Sequence, residues 1–388
     1  MMLLRRTTEL LLVQSLLWSF AAARRISHLG TRDVNVSAPI VVSPSQNFEG
    51  NDGPWSTFTL QLGTPAQNVN VMISTAGYQT WAVVSQGCPF PEQADCAKSR
   101  GGVFNANESS TWVQNNVTTN GTFTLGLEEN LGYTGNGLFG YDTVALGWQG
   151  SNGPTLNQQI IAGIATPQFY TGIFGLDPRP TNFSNYNRPV PSYMSNLKSQ
   201  NLIPSLSWGY TAGNQYRLSK ALGSLALGGY DASRFQSNNV TFPFNDQDIR
   251  ALTVGISSIV HDTDSGQQTT LLNESISAFV DSTIPWIYLP LEVCKQFEVA
   301  FGLEWDESRQ VYLVNDTLHK NLQAQNATVT FILQNSDRKE SLPIKLPYAA
   351  FDLIATYPLA ENQTRYFPLA RATNETQYTL GRTFFQEA

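Results

Sequence analysis

Val71-Met72-Ile73-Ser74-Thr75-Ala76-Gly77, with Trp81 seven residues beyond Ser74, is one of two segments that decide how this chain is read. The other is Ala278-Phe279-Val280-Asp281-Ser282-Thr283-Ile284, with Tyr288 seven beyond Asp281. In both, an apolar strand runs into a small polar turn and re-emerges as an aromatic, apolar stretch. Each is followed about a hundred residues on by an apolar segment with glycine, Thr171-Gly172-Ile173-Phe174-Gly175-Leu176 and Thr379-Leu380-Gly381-Arg382-Thr383-Phe384. Ser74 and Asp281 lie 207 positions apart, and Gly172 and Gly381 lie 209 apart. Two near-equal offsets point to a duplicated lobe.

Around these segments the chain reads as all-β. Short Val/Ile/Phe/Tyr/Thr-rich runs, such as 58–62, 141–146 and 328–333, are punctuated by Gly, Asn and Pro. Helical patterns are few, and 192–200 and 291–301 are the best of them. A chain of 388 residues exceeds what one core ordinarily fills, so two lobes are expected.

Composition narrows the function classes. The chain is 41% hydrophobic and 14% charged, with net charge −7 and an isoelectric point near 5.1. An acidic surface argues against nucleic acid and anionic membranes as partners. Residues 1–23 carry Arg5 and Arg6, a short apolar run over 10–20 and Ala21-Ala22-Ala23, the layout of a secretory signal. The apolar run falls short of a membrane span, and no later segment is long enough for one. Asn-x-Ser/Thr triplets occur at Asn35, Asn107, Asn116, Asn120, Asn182, Asn239, Asn273, Asn315, Asn326, Asn362 and Asn374. Eleven is about twice the chance expectation, which favours a secreted glycoprotein. Cys88 and Cys96 can close a small surface loop as a disulfide. Cys294 is either buried and free or bonded outside the chain. No metal-ligand spacing is present, and no cofactor is expected.

The ordered motifs resemble the pepsin-like aspartic peptidases, among them secreted fungal relatives. Gly63-Thr64-Pro65-Ala66-Gln67 matches the segment before the first catalytic loop, and Ile73-Ser74-Thr75-Ala76-Gly77 falls on that loop. The strand leaving the flap is matched by Gly137-Leu138-Phe139-Gly140-Tyr141-Asp142-Thr143-Val144. Residues 172–176 and Leu227-Gly228-Gly229-Tyr230-Asp231 follow, and Val280-Asp281-Ser282-Thr283 falls on the second catalytic loop, with Leu289-Pro290 behind it. The resemblance implies a bilobal acid protease fold of two pseudo-symmetric β-lobes. It divides the chain into a signal peptide (1–23), a short leader (24–52), an N-terminal lobe (53–205) and a C-terminal lobe (206–388). Family members continue past Ala388, so the second lobe reads as truncated, and an anchor beyond that point would move the protein to the cell surface.

Family chemistry needs two carboxylates about 3 Å apart sharing one proton, one acting as base on a water and the other as acid. By resemblance those roles fall on positions 74 and 281, but Ser74 is not a carboxylate. Asp281, with no second negative charge beside it, is expected simply to ionise. The supporting positions differ too. Ala76 and Thr283 replace loop glycines, Gly77 and Ile284 replace hydroxyls, and only Thr75 and Ser282 keep the residues that brace the loops. Tyr133 lies near the place of a flap tyrosine over the cleft. A family propeptide would be longer and more basic than residues 24–52. These departures imply a non-proteolytic, monomeric protein that holds a peptide, protein or glycan between its lobes. The alternative is weak aspartic-type endopeptidase activity through Asp281, since losing one member of a catalytic unit costs thousands-fold, upward of about 4 kcal/mol. A nucleophilic Ser74 would need a nearby base, and His28, His261 and His319 lie in segments expected elsewhere.

Overall fold

The computed structural model describes residues 37–88, 95–117, 120–183, 188–335 and 339–388. The signal peptide, most of the leader and Asn35 lie outside the described residues.

The first decisive segment forms the strand Gln67–Ser74, whose last four side chains are buried. The chain turns through 75–79 and returns as Thr80–Val83, also wholly buried. Between these two strands lies Gly172–Gly175, parallel to the first (Gly172 opposite Val71, Gly175 opposite Ser74) and antiparallel to the second. Burial on both faces is why these runs are continuously apolar and do not alternate. The second segment repeats the arrangement. Thr379–Leu380 lies between Ile276–Val280, to which it is parallel, and Ile287–Pro290, to which it is antiparallel. Outside each motif a further parallel partner follows, Thr155–Ile164 beside Thr80–Val83 and Leu369–Ala372 beside Ile287–Pro290.

The inserted strands need glycine where they are squeezed. Gly175 donates to Gln79 O and Gly381 to Trp286 O, each at 3.0 Å. A Cβ would stand 2.4 Å from Gly77 O at the first and 2.3 Å from Trp286 O at the second. The counterpart of Gly381 is therefore Gly175, and the sequence alignment on Gly172 is three residues out of register.

Each motif sits in a large sheet, nine-stranded in the N-terminal part and eight-stranded in the C-terminal part among the described residues. Each sheet has its own apolar core. One holds Phe58, Leu60, Val71 and Phe174, and the other Ile256, Phe297, Phe331 and Phe367. A third cluster crosses between them, joining Met72, Trp81, Leu125 and Leu127 to Phe279, Ile284 and Trp286.

The expected strands run longer than read, as Trp55–Leu62, Asn136–Leu146 and Thr328–Gln334. Both expected helices form. Tyr193–Ser199 is capped by the Ser192 hydroxyl, which accepts from Ser195 N, and Leu291–Phe301 ends at a left-handed Gly302. A third helix, Asp316–Gln325, buries only His319 and Leu322, so its sequence shows little apolar periodicity. Within the leader boundaries, Ile40–Val42 pairs with Ser224–Leu227 and Pro44–Glu49 pairs with Trp55–Leu62. These residues are part of the folded sheets.

Cys88 and Cys96 form a disulfide. Cys294 is free and fully buried in the helix Leu291–Phe301, and burial pushes its thiol up to about 12. Each sequon asparagine within the described residues is solvent-exposed. Three already have local partners, among them Asn374, whose Oδ1 accepts from Thr376 N. Asn315 Oδ1 accepts from Leu318 N as a helix cap, and Asn326 donates to Asp264.

Candidate functional site

The two polar turns meet back to back. Thr75 N–H donates to Ser282 Oγ at 3.1 Å, and Ser282 N–H donates to Thr75 Oγ1 at 3.0 Å. Each hydroxyl also donates to a carbonyl of the opposite strand, Thr75 to Val280 O and Ser282 to Ile73 O. This double exchange fixes the spacing of the residues just before each hydroxyl, which are Ser74 and Asp281.

Both are fully buried. Asp281 Oδ1 accepts twice from Thr283, from its N–H at 2.8 Å and its hydroxyl at 2.5 Å. The Thr283 proton is thereby committed, so Ser74 Oγ, 2.6 Å away, donates to Thr283 Oγ1. Ser74 Oγ in turn accepts from Gly77 N at 2.6 Å. A directed relay results, from Gly77 N–H through Ser74 and Thr283 to Asp281. A Cβ at Gly77 would stand 2.7 Å from Ser74 Oγ, so there is no room for a side chain at position 77. Ala76 is buried and its carbonyl accepts from Arg179. Ile284 is buried in the inter-lobe cluster. The hydroxyls around Ser74 provide no base.

A carboxyl absent from the sequence reading completes the site. The hairpin of Thr122–Thr124 and Asn136–Leu138 folds over the two turns. At its tip Glu128 is 9% exposed, and its carboxyl stands beside that of Asp281, near enough for each to shift the other's ionisation. Glu128 Oε2 and Asp281 Oδ2 are both buried without a hydrogen-bond partner, so two desolvated carboxyls face one another and one proton held between them would satisfy both. Burial, followed by the neighbouring Asp281, raises the Glu128 carboxyl well above its usual range, and Arg250 opposes this more weakly. Burial also raises Asp281, against the two Thr283 bonds and the Glu128 bond that favour its ionised form. The expectation that Asp281 has no second acid beside it is thus corrected. It is desolvated, and it has an acidic neighbour that arrives from another part of the chain. The one sequence signal was the pair Glu128-Glu129 in an otherwise uncharged Gly/Thr/Asn-rich hairpin.

Several contacts hold the hairpin down. Glu128 adopts a left-handed backbone (φ 55°, ψ 30°), uncommon for a residue with a Cβ, and its carbonyl accepts from Leu131 N and Tyr133 N. Leu125 and Leu127 are buried in the inter-lobe cluster. Beyond them, Asn130 donates to Thr376 O at 2.9 Å and accepts from Gln377 Nε2 at 2.5 Å. Arg250 lies over the Phe279 ring and donates to Thr376 O and Tyr378 O.

Tyr133, expected near the cleft, lies on the same hairpin five residues beyond Glu128. It packs on Phe169 and borders a cavity of about 30 Å³ with Asp52, Met72, Thr283 and Arg382. Arg382 anchors that corner. It donates to Asp52 Oδ2 at 2.7 Å and to the carbonyls of Ser282 and Thr283, with its guanidinium over the Trp55 ring. Neither Asp52 nor Arg382 stood out in the sequence.

A family model described as eukaryotic aspartyl protease matches residues 57–388. Secreted aspartic protease 8 of Candida albicans is 23% identical over 301 residues, covering 74% of this chain and 67% of that protein. Rhizopuspepsin-3 of Rhizopus niveus is 26% identical over 255 residues, covering 62% of this chain and 56% of that protein.

Proposed function

Because the chain belongs to the eukaryotic aspartyl protease family, we propose that it is a secreted protein that binds an extended peptide segment in the cleft beneath its flap hairpin. Positions 74 and 281 do not act there as a peptidase pair. One observation carries this reading: Ser74 brings a hydroxyl that is fully used by Gly77 and Thr283, where the family's reaction needs a carboxylate. The brace between Thr75 and Ser282 keeps the frame of the cleft while that chemistry is absent. Export is supported by the signal-like start, the exposed sequons and the names of the secreted relatives.

Peptide occupancy requires the flap tip to lift, since Leu125, Leu127 and Glu128 fill the space above Asp281. The test is fluorescence anisotropy with labelled peptide pools on the secreted protein, beside Asp281→Ala. Saturable binding that Asp281→Ala weakens supports the reading. An absence of binding from pH 3 to 8, or capture of glycans alone, overturns it.

A further inference from the structure

We propose that Glu128 is the second carboxyl of this site, and that with Asp281 it hydrolyses a peptide bond from opposite sides of the cleft. The inference rests on the peptide-binding reading and goes beyond it.

Peptide hydrolysis by carboxyl groups needs one group ionised to take a proton from water and another protonated to give one away. The turns at 74 and 281 cannot supply both, but the flap can. Glu128 is the carboxyl beside Asp281, both are buried, and each keeps an oxygen with no hydrogen-bond partner, while Leu125 and Leu127 of the same hairpin pack with Phe279 and Ile284 on either side of Asp281. The left-handed backbone at Glu128, held by its carbonyl bonds to Leu131 and Tyr133, aims the side chain down into the site. Left-handed non-glycine residues of this kind cluster at functional positions.

The surroundings also sort the two acids. Thr283 gives two hydrogen bonds to Asp281, which favours its charged form. Glu128 receives none at Oε2 and lies among apolar side chains. Of the other titratable groups facing it, Arg250 favours ionisation, but burial outweighs this, and Tyr288 stands neutral. Glu128 therefore holds the shared proton and Asp281 the charge.

When a peptide lies between the flap and the turns, Asp281 faces the scissile bond from below and Glu128 from above. Asp281 takes a proton from a water whose oxygen bonds to the carbonyl carbon. Glu128 delivers its proton to the amide nitrogen, which keeps the electron pair of the breaking C–N bond. One water and one peptide bond become a carboxylic acid and an amine. Asp281 is then protonated and Glu128 ionised. Closure of the empty flap restores their direct hydrogen bond, across which the proton returns to Glu128. The closed state thus resets the pair.

The experiment measures cleavage of quenched fluorescent peptides from pH 2 to 8, beside anisotropy with the same peptides. Slow wild-type cleavage is expected, with Glu128→Gln lowering kcat at least about 100-fold, the usual range for a lost general acid. Peptide affinity should stay within about threefold, because a uniform binding role would have moved KM instead. Glu128→Asp should retain part of the rate, and Glu128→Gln/Asp281→Asn should be no slower than Asp281→Asn alone. Binding without any cleavage by the wild-type protein overturns the inference and leaves the peptide-binding reading standing. Loss of both overturns both. If Glu128→Gln does not fold, a Glu128→Asp protein that cuts at the wild-type rate across the pH range overturns it equally.

Discussion

Thr283 binds one oxygen of Asp281 twice, through its own N–H at 2.8 Å and through its hydroxyl at 2.5 Å. The same hydroxyl accepts from Ser74, so one side chain ties the two halves of the site together. Thr283→Val keeps the shape and removes both links. It leaves Ser74 Oγ–H without an acceptor in a fully buried place, a loss of about 1–3 kcal/mol. Urea unfolding of the variant beside wild type measures it, and a change below about 0.5 kcal/mol would contradict the relay.

A carboxylate at position 74 should be poorly tolerated alone. Ser74 is already within 2.6 Å of both Thr283 Oγ1 and Gly77 N, and Asp would add bulk and a third acid to a closed space. Ser74→Asp is expected to lower stability by about 1–3 kcal/mol through overpacking. Ser74→Asp/Thr283→Gly vacates the hydroxyl's space and should recover most of that loss. Thermal melts of the two variants at pH 5 decide it, and equal melting temperatures would show that Thr283 does not fill the space.

The pH dependence of stability follows from the direction of the two shifts. Glu128 and Asp281 are both raised in the folded protein, so the native state binds more protons than the unfolded chain. Their contribution is fully present below the unfolded carboxyl range, about pH 4, and is lost as pH rises through the folded values. Asp306, held down at about 2 chiefly by its Ser308 hydrogen bond, acts in the opposite sense but only in stronger acid. The carboxyls' share of the melting temperature should therefore fall as pH climbs from about 4 towards neutrality, while His261, lowered by burial, adds stability over the same interval. Glu128→Gln should flatten that fall. A Glu128→Gln profile that runs parallel to wild type over this interval would refute the shared proton.

Asp52 and Arg382 join the start of the described fold to the far end of the chain. The Arg382 side chain is 6% exposed, so removal of its partner leaves a desolvated charge. Asp52→Asn is expected to cost about 3 kcal/mol, the lower end for a broken buried pair because Asp52 retains some contact with water. Denaturant titration measures it. Asp52→Asn/Arg382→Met should be more stable than Asp52→Asn, since the stranded charge is then gone.

The duplicated motif was legible because strands buried on both faces must be apolar throughout, and such runs survive in sequence as continuous blocks. The hydroxyls at Thr75 and Ser282 were legible for a similar reason, as each is the second polar residue after such a block. Register was not. Gly172 and Gly175 share the same apolar surroundings, and what separates them is the pairing of Gly175 with Ser74 and its bond to Gln79 O. Glu128 was invisible as a partner of Asp281, because their contact depends on how far a Gly-rich hairpin leans over a turn 153 residues away. No local periodicity encodes that lean. The helix at 316–325 was hidden by its polar surface, and the strand Ile40–Val42 by its brevity.

The reciprocal bonds of Thr75 and Ser282 have a consequence for how such a protein can change over time. Replacing either hydroxyl strands an N–H in the other half of the molecule, so neither position can vary without cost to its counterpart. Ser74 and Asp281, one residue before each hydroxyl, exchange no bond directly and are tied only through Thr283. Change at the centre therefore needs positions 74 and 283 to move together, while the clasp beneath them stays fixed.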